Sequence, residues 1–154
     1  MNDLQTYTWR GARAMVLLHE RHMREFLVTW REFAASGIAL PATEDPAYVS
    51  PQALLWHVLR AARGYMTWMC EKLGLPDPQI EEVPPVEEIE QRAAAYLEHV
   101  LERWRIPLAG LAEARSEEEF KSRWGSTYHI DGMLEHAVMH PIRHGFQLQE
   151  LLKK

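Results

Sequence analysis

Apolar side chains recur at spacings of three and four along four stretches of the chain, the signature of amphipathic helices. In the first, residues 4–36, two adjoining stripes form one broad face. One holds Gly11, Met15, Leu18, His22, Phe26, Thr29 and Phe33, the other Ala12, Val16, His19, Met23, Leu27, Trp30 and Ala34. Gly37 offers the left-handed residue that ends such a helix. Residues 38–49, with Pro41 and Pro46, read as a loop. A second helix opens at Ser50 as N-cap, with Pro51 in the first turn, where a missing N–H costs nothing. Leu54, His57, Ala61, Gly64 and Trp68 form its expected inner stripe, and Gly74 ends it. Pro76, Pro78, Pro84 and Pro85 then impose a loop.

The third helix is predicted over residues 86–111, with Ile89, Ala93, Tyr96, Leu97, Val100 and Trp104 facing inward. Glu87, Glu88 and Glu90 favour its dipole, and Pro107 kinks it or ends it early. Ser116-Glu117-Glu118-Glu119 fits a capping box and predicts a short helix over residues 117–123, followed by irregular chain over 124–129. The fourth long helix begins near Asp131, as N-cap, and runs to the C-terminal end. Four such helices and no alternating strand pattern predict an all-α fold. The expected architecture is a four-helix bundle of one domain over residues 1–154, with long inter-helix loops and one short extra helix before the last.

A chain of 154 residues buries roughly 70% of its unfolded surface and needs no disulfide to fold. Its net charge of -5 argues against a nucleic-acid partner, which requires a basic face. The lone Cys70 closes no intrachain disulfide and reads as a buried structural thiol. The fullest apolar run, Ala14-Met15-Val16-Leu17-Leu18, falls far short of the ~20 residues of a membrane span. Met1-Asn2-Asp3-Leu4-Gln5 has no basic run before an apolar one, so no secretory leader is expected, and the chain reads as cytoplasmic.

Eight histidines carry the chemistry. His136, His140 and His144 fall at i, i+4 and i+8 of the last helix. Each step of four turns the position by about 40°, so neighbours share a face with Cβ atoms ~5–6 Å apart and can reach one metal ion together. Over eight residues the drift is about 80° and the rise about 12 Å, so a two-ligand clamp needs a third ligand from another helix. His57, on the second helix's stripe, is the candidate, with His22 and His19 as competitors; His99 lies off its helix's stripe and is expected in solvent. Other templates fail. No histidine has a Glu three residues before it, and His19-Glu20-Arg21-His22 places its second His one position too early for a zinc protease. Cys70 lies 13 residues after His57, about 220° around the helix, and faces away from it.

The segment His136-Ala137-Val138-Met139-His140-Pro141-Ile142-Arg143-His144-Gly145-Phe146-Gln147-Leu148 resembles the C-terminal motif of the DinB/YfiT-like superfamily, commonly Asn-His-x-x-x-His-Arg-Gly-Gln. Leu54-Leu55-Trp56-His57-Val58-Leu59 looks like that family's second-helix motif. The resemblance implies a bundle that binds one divalent ion through His57, His140 and His144. It also implies frequent homodimers and, in a few branches, transfer of low-molecular-weight thiols to electrophiles. Met139 replaces the motif's Asn, Gly145-Phe146 replaces Arg-Gly so that only Arg143 can supply a base nearby, and Ala61 and Ala62 stand where an acidic residue is usual. Pro141, between the two ligands, removes a helical hydrogen bond and is expected to bend the helix.

Three histidines leave a coordination position open, as in catalytic rather than structural zinc sites. All-imidazole ligation suits zinc, nickel, copper or iron(II) alike, and one divalent ion, zinc or nickel first and iron next, is the expected cofactor. Expected outer partners are Glu20, Glu135 and backbone carbonyls; His22, His136 and Tyr128 are expected to line the cavity, with Tyr128 and His129 as a lid. The reading is a metal-dependent enzyme acting on a small molecule, a thiol transferase or hydrolase. The alternative is a non-catalytic helical binding or stress-associated protein with a structural or vestigial site.

Overall fold

A computed structural model of the chain describes residues 4–154; the expectation that residues 1–3 open no leader lies outside them. Four helices carry most of the described chain: α1 (Arg10–Ser36), α2 (Pro51–Leu73), α3 (Ile89–Trp104) and α4 (Ile130–Leu152). α1 starts later than its apolar pattern predicts, because Leu4–Thr6 form a separate 3-10 turn and Trp9 is extended. Gly37, at φ 74°, ends it. α2 has the predicted boundaries: the Ser50 hydroxyl accepts the Ala53 N–H at 3.0 Å, and Gly74, at φ 67°, stops the helix.

α3 is shorter than predicted at both ends. Val86–Glu88 form a 3-10 turn before it, and it stops at Trp104, ahead of Pro107, whose ring would clash with the carbonyl four residues earlier. α4 has His129 rather than Asp131 at its N-cap position, without a side-chain cap, and Pro141 sits inside it without ending it.

The largest departure lies before α4. The helix predicted over residues 117–123 does not form. Glu113–Glu117 make a 3-10 turn, and β1 (Glu119–Lys121) pairs antiparallel with β2 (Thr127–His129). In register, Glu119 faces His129, Phe120 faces Tyr128 and Lys121 faces Thr127. Gly125, at φ 91°, supplies the left-handed residue of the reversal. Strands this short show no readable alternation. The Trp68 indole N–H donates to the Lys121 carbonyl at 3.1 Å and so ties the hairpin to α2.

α1 packs most extensively against α4, and α2 against both α3 and α4. The stripe predicted for α3 is buried throughout, whereas that of α2 is displaced. Leu55, Val58, Leu59, Ala62, Met66, Met69 and Leu73 fill the core, while His57, Ala61 and Gly64 are only half-buried. Two indoles tie other elements to α2: Trp30 donates to the Pro51 carbonyl at 2.7 Å and Trp104 to the Ala62 carbonyl at 2.9 Å. Cys70 is buried, as expected, and burial pushes its thiol up to about 12. Among the described residues, no helix is long and apolar enough to cross a membrane.

His19 is fully buried in α1, stacked on Trp104 with ring centroids 3.6 Å apart, and neither of its nitrogens has a hydrogen-bond partner among the described residues. Burial, with a smaller contribution from His22, lowers its pKa to about 3. An unpaired buried polar group costs about 1–3 kcal/mol, partly offset here by the stacked ring. His19→Leu is therefore expected to raise the melting temperature at pH 7 by a few degrees, roughly 2–4 °C per kcal/mol for a chain of this size. The unfolded chain protonates His19 near pH 6.5 and the folded chain near 3, so the wild type loses stability between those values as pH falls. The gap between variant and wild type should widen from pH 7 to pH 5 in thermal unfolding; a constant gap would contradict this account.

Candidate metal centre

The α2 N-cap sets the phase of His57 two turns into its helix, and the contact of α2 with α4 brings that ring to His140 and His144. The Nε2 atoms of His57 and His140 lie 3.0 Å apart. Ring centroids are 4.9 Å apart for His57 and His140, 5.3 Å for His57 and His144, and 4.7 Å for His140 and His144. The rings are splayed at 53° to 89°, so they aim nitrogens at a shared volume rather than stacking faces. One nitrogen from each lies within 4.8 Å of the others. Tetrahedral bonds of 2.0–2.1 Å place two nitrogens about 3.3 Å apart, close to the His57–His140 separation.

Burial makes all three rings poor bases. His140 is lowered to about 2, first by desolvation and then by the neighbouring imidazoles and Arg143. His144 is lowered to about 4 by desolvation and His57. His57 is also lowered, chiefly by desolvation, against the opposing charge of Asp45. All three are neutral at pH 7, with lone pairs available.

His144 shows how one ring is oriented. Its Nδ1 lies 2.9 Å from the Tyr48 hydroxyl and 3.0 Å from Gln147 Oε1, and Tyr48 also donates to Gln147 Oε1. With the amide oxygen as common acceptor, the proton sits on Nδ1, which leaves Nε2 as a bare lone pair. That Nε2 is buried and has no partner among the described residues. His57 and His140 differ: without a cation, one Nε2 must carry a proton and donate to the other across 3.0 Å. A cation would use both lone pairs and the orphaned Nε2 of His144 as well, so the donor set fits a divalent ion of the zinc, nickel or iron type.

The other sequence candidates are dispersed. His136 stays on α4 but joins an aromatic group of Tyr65, Trp124 and Tyr128, with centroids 5.1 to 5.5 Å away. Tyr128, in β2, packs on His136, and neither is among the residues that line the cleft beside His57. His129 is pinned, its Nδ1 donating to the Glu117 carbonyl at 2.8 Å and its Nε2 beside Glu119 at 3.1 Å; it is not a loose lid. His22 pairs with Glu25 at 2.9 Å on α1, and His19 is committed to Trp104. His99 is not in open solvent: it is half-buried and accepts the Glu81 N–H at 3.0 Å. Neither proposed acidic outer partner serves the site. Glu20 is ion-paired with Arg105 at 2.8 Å, and Glu135 is exposed.

Tyr48 is the residue that the sequence concealed. It lies in a 3-10 turn, Pro46–Tyr48, capped by Asp45, where no helical spacing marks it. Arg143 acts electrostatically on all three histidines and on Tyr48, so it does supply the nearby positive charge.

A cleft of about 590 Å³ adjoins His57, walled by Tyr65, Trp68 and Trp124 and by Arg60, Arg63 and Arg123. A second hollow of about 470 Å³ lies outside Tyr48 and Gln147 and touches none of the three histidines. The chain matches no protein-family model, no curated protein and no solved structure.

Proposed function

We propose that the chain is a DinB-like four-helix bundle that holds one divalent ion through His57, His140 and His144 and acts as a metal-dependent enzyme on a small molecule. Thiol transfer to an electrophile and hydrolysis are the reactions that suit it. The observation that carries the reading is the buried Nε2 of His144, partnerless and oriented by Tyr48 and Gln147 toward the His57–His140 pair. A bound ion of this kind supplies Lewis acidity and makes a thiol or water more acidic.

The chain's own residues do the rest. Tyr48 and Gln147 hold the His144 tautomer. Arg143 adds positive charge, which favours an anionic nucleophile such as a thiolate. Of the three histidines, His57 lines the neighbouring cleft, which is where a substrate would approach a bound ion. The non-catalytic reading draws on one observation, the direct 3.0 Å contact of His57 with His140, which pairs those two rings with no ion.

Metal-free protein titrated with zinc or nickel in a calorimeter should take up one ion per chain. His57→Ala and His144→Ala should each lose that uptake while circular dichroism shows the helices retained. At a hundredfold excess over Kd the ion should add about 2.7 kcal/mol to stability, read as a raised melting temperature. No uptake by the wild type would overturn the metal reading.

Outer partners of ligating histidines are typically worth 10–100-fold in affinity. Tyr48→Phe should therefore weaken metal binding about tenfold with one site per chain preserved. Unchanged affinity would show that the hydroxyl does not orient His144. Pro141→Ala should keep α4 helical and change metal affinity if the proline sets how His140 and His144 converge; equal affinity rejects that role.

A further inference from the structure

We propose that the cleft beside His57 is a recognition site for a small organic oxyanion, a carboxylate or phosphate carried on a flat apolar body. The inference names the substrate class of the proposed enzyme; its role in a reaction rests on the metal reading, but the binding itself does not.

The charge pattern carries the argument. Acidic residues outnumber Lys and Arg by 22 to 17, so arginines on this surface should find carboxylates easily. Arg63 does: it pairs with Glu82 at 2.9 Å and donates to the Ile80 carbonyl at 3.0 Å. That pairing neutralises Glu82, the one carboxylate lining the cleft. Arg60 and Arg123 have no carboxylate partner among the described residues. Arg60 instead lies over the Trp56 ring, 5.3 Å from its centroid. With Arg63 and Glu82 cancelling, the lining keeps two uncompensated guanidiniums. Guanidinium forks match carboxylate and phosphate geometry.

Backbone and ring placement serve the same end. Arg123 stands in the turn between β1 and β2, and α2 has Gly64 opposite it. A Cβ at Gly64 would lie 3.2 Å from an Arg123 guanidinium nitrogen, tighter than most such contacts. The absent side chain thus leaves room for the guanidinium at the cleft. Trp68 and Trp124 supply flat apolar walls. Tyr65, nearly buried, makes no hydrogen bond among the described residues, so its hydroxyl is free to donate to a bound anion. About 590 Å³ is within the range of small-molecule sites.

The test uses benzoate, phenyl phosphate and the neutral isostere benzamide, titrated into metal-free and zinc-loaded protein with Trp fluorescence and calorimetry as readouts. At least one anion should bind tenfold or more tightly than benzamide in the metal-free protein, and comparing the two anions identifies the preferred headgroup. Arg60→Gln and Arg123→Gln should each weaken that binding fivefold or more, with Arg123→Lys recovering part of it. Both side chains are exposed, so folding is not at risk, and a melting curve for each variant checks this. Benzamide binding as well as benzoate, or both Gln variants binding like wild type, would overturn the proposal. If zinc uptake fails while arginine-dependent anion binding persists, the metal reading falls and the cleft stands; zinc uptake without anion binding gives the reverse.

Discussion

Three imidazoles can crowd into one small volume only while none of them is protonated. At ring separations under 5.5 Å, each proton added to His57, His140 or His144 would repel the next, and burial has removed the water that would shield His140 and His144. Neutrality is therefore the condition on which the packing of α2 against α4 rests at this point. It has a consequence for the chemistry, because the state that the fold can tolerate is also the state that ligates a metal. No imidazolium has to be deprotonated; only the Nε2 proton shared between His57 and His140 must move to the other ring nitrogen before both can ligate.

His19 gives the contrast within the same molecule. It is as buried as His140 and as neutral, yet it stacks on one indole and belongs to no group of three possible metal donors among the described residues. Its unpaired nitrogens read as a packing defect tolerated by the core. His144 has one unpaired nitrogen too, but the other is committed to Tyr48 and Gln147, which selects the tautomer and aims the bare lone pair. The distinction between an unsatisfied histidine and a prepared one lies in that outer pair. Burial alone would not separate them.

What could be read from the sequence was whatever depends on local spacing. Ser50, Pro51 and Gly74 bound α2 because capping is decided within a turn or two. His140 and His144 share a face because four residues advance a helix by just over one turn. The features that escaped depend on tertiary context. Tyr48 reaches His144 from a turn 96 residues away in the chain. The 119–129 segment pairs with itself because Gly125 reverses it and Trp68 secures it, which outweighs the capping box at Ser116. The stripe on α2 had the right period and the wrong neighbour. Ala61 and Gly64 are apolar, so they look like core, but their small size leaves the space that becomes the cleft.

The same smallness ties the architecture to the charge of the site. A bundle whose helices all met closely would cover His57 and leave no path to it. Here α2 gives up side-chain volume at Ala61 and Gly64, and the hairpin fills only part of the gap, bringing Arg123 and Trp124 to its rim. The three histidines contribute no negative charge, unlike a ligand set containing carboxylate or thiolate. A divalent ion held by them would keep its full charge, with Arg60, Arg123 and Arg143 adding to the field around it. Asp45 opposes that field in part, and an anion entering the cleft would oppose it further. The helix packing that makes the pocket and the neutrality that lets the histidines crowd thus serve the same proposal, a site that would select its guest by negative charge.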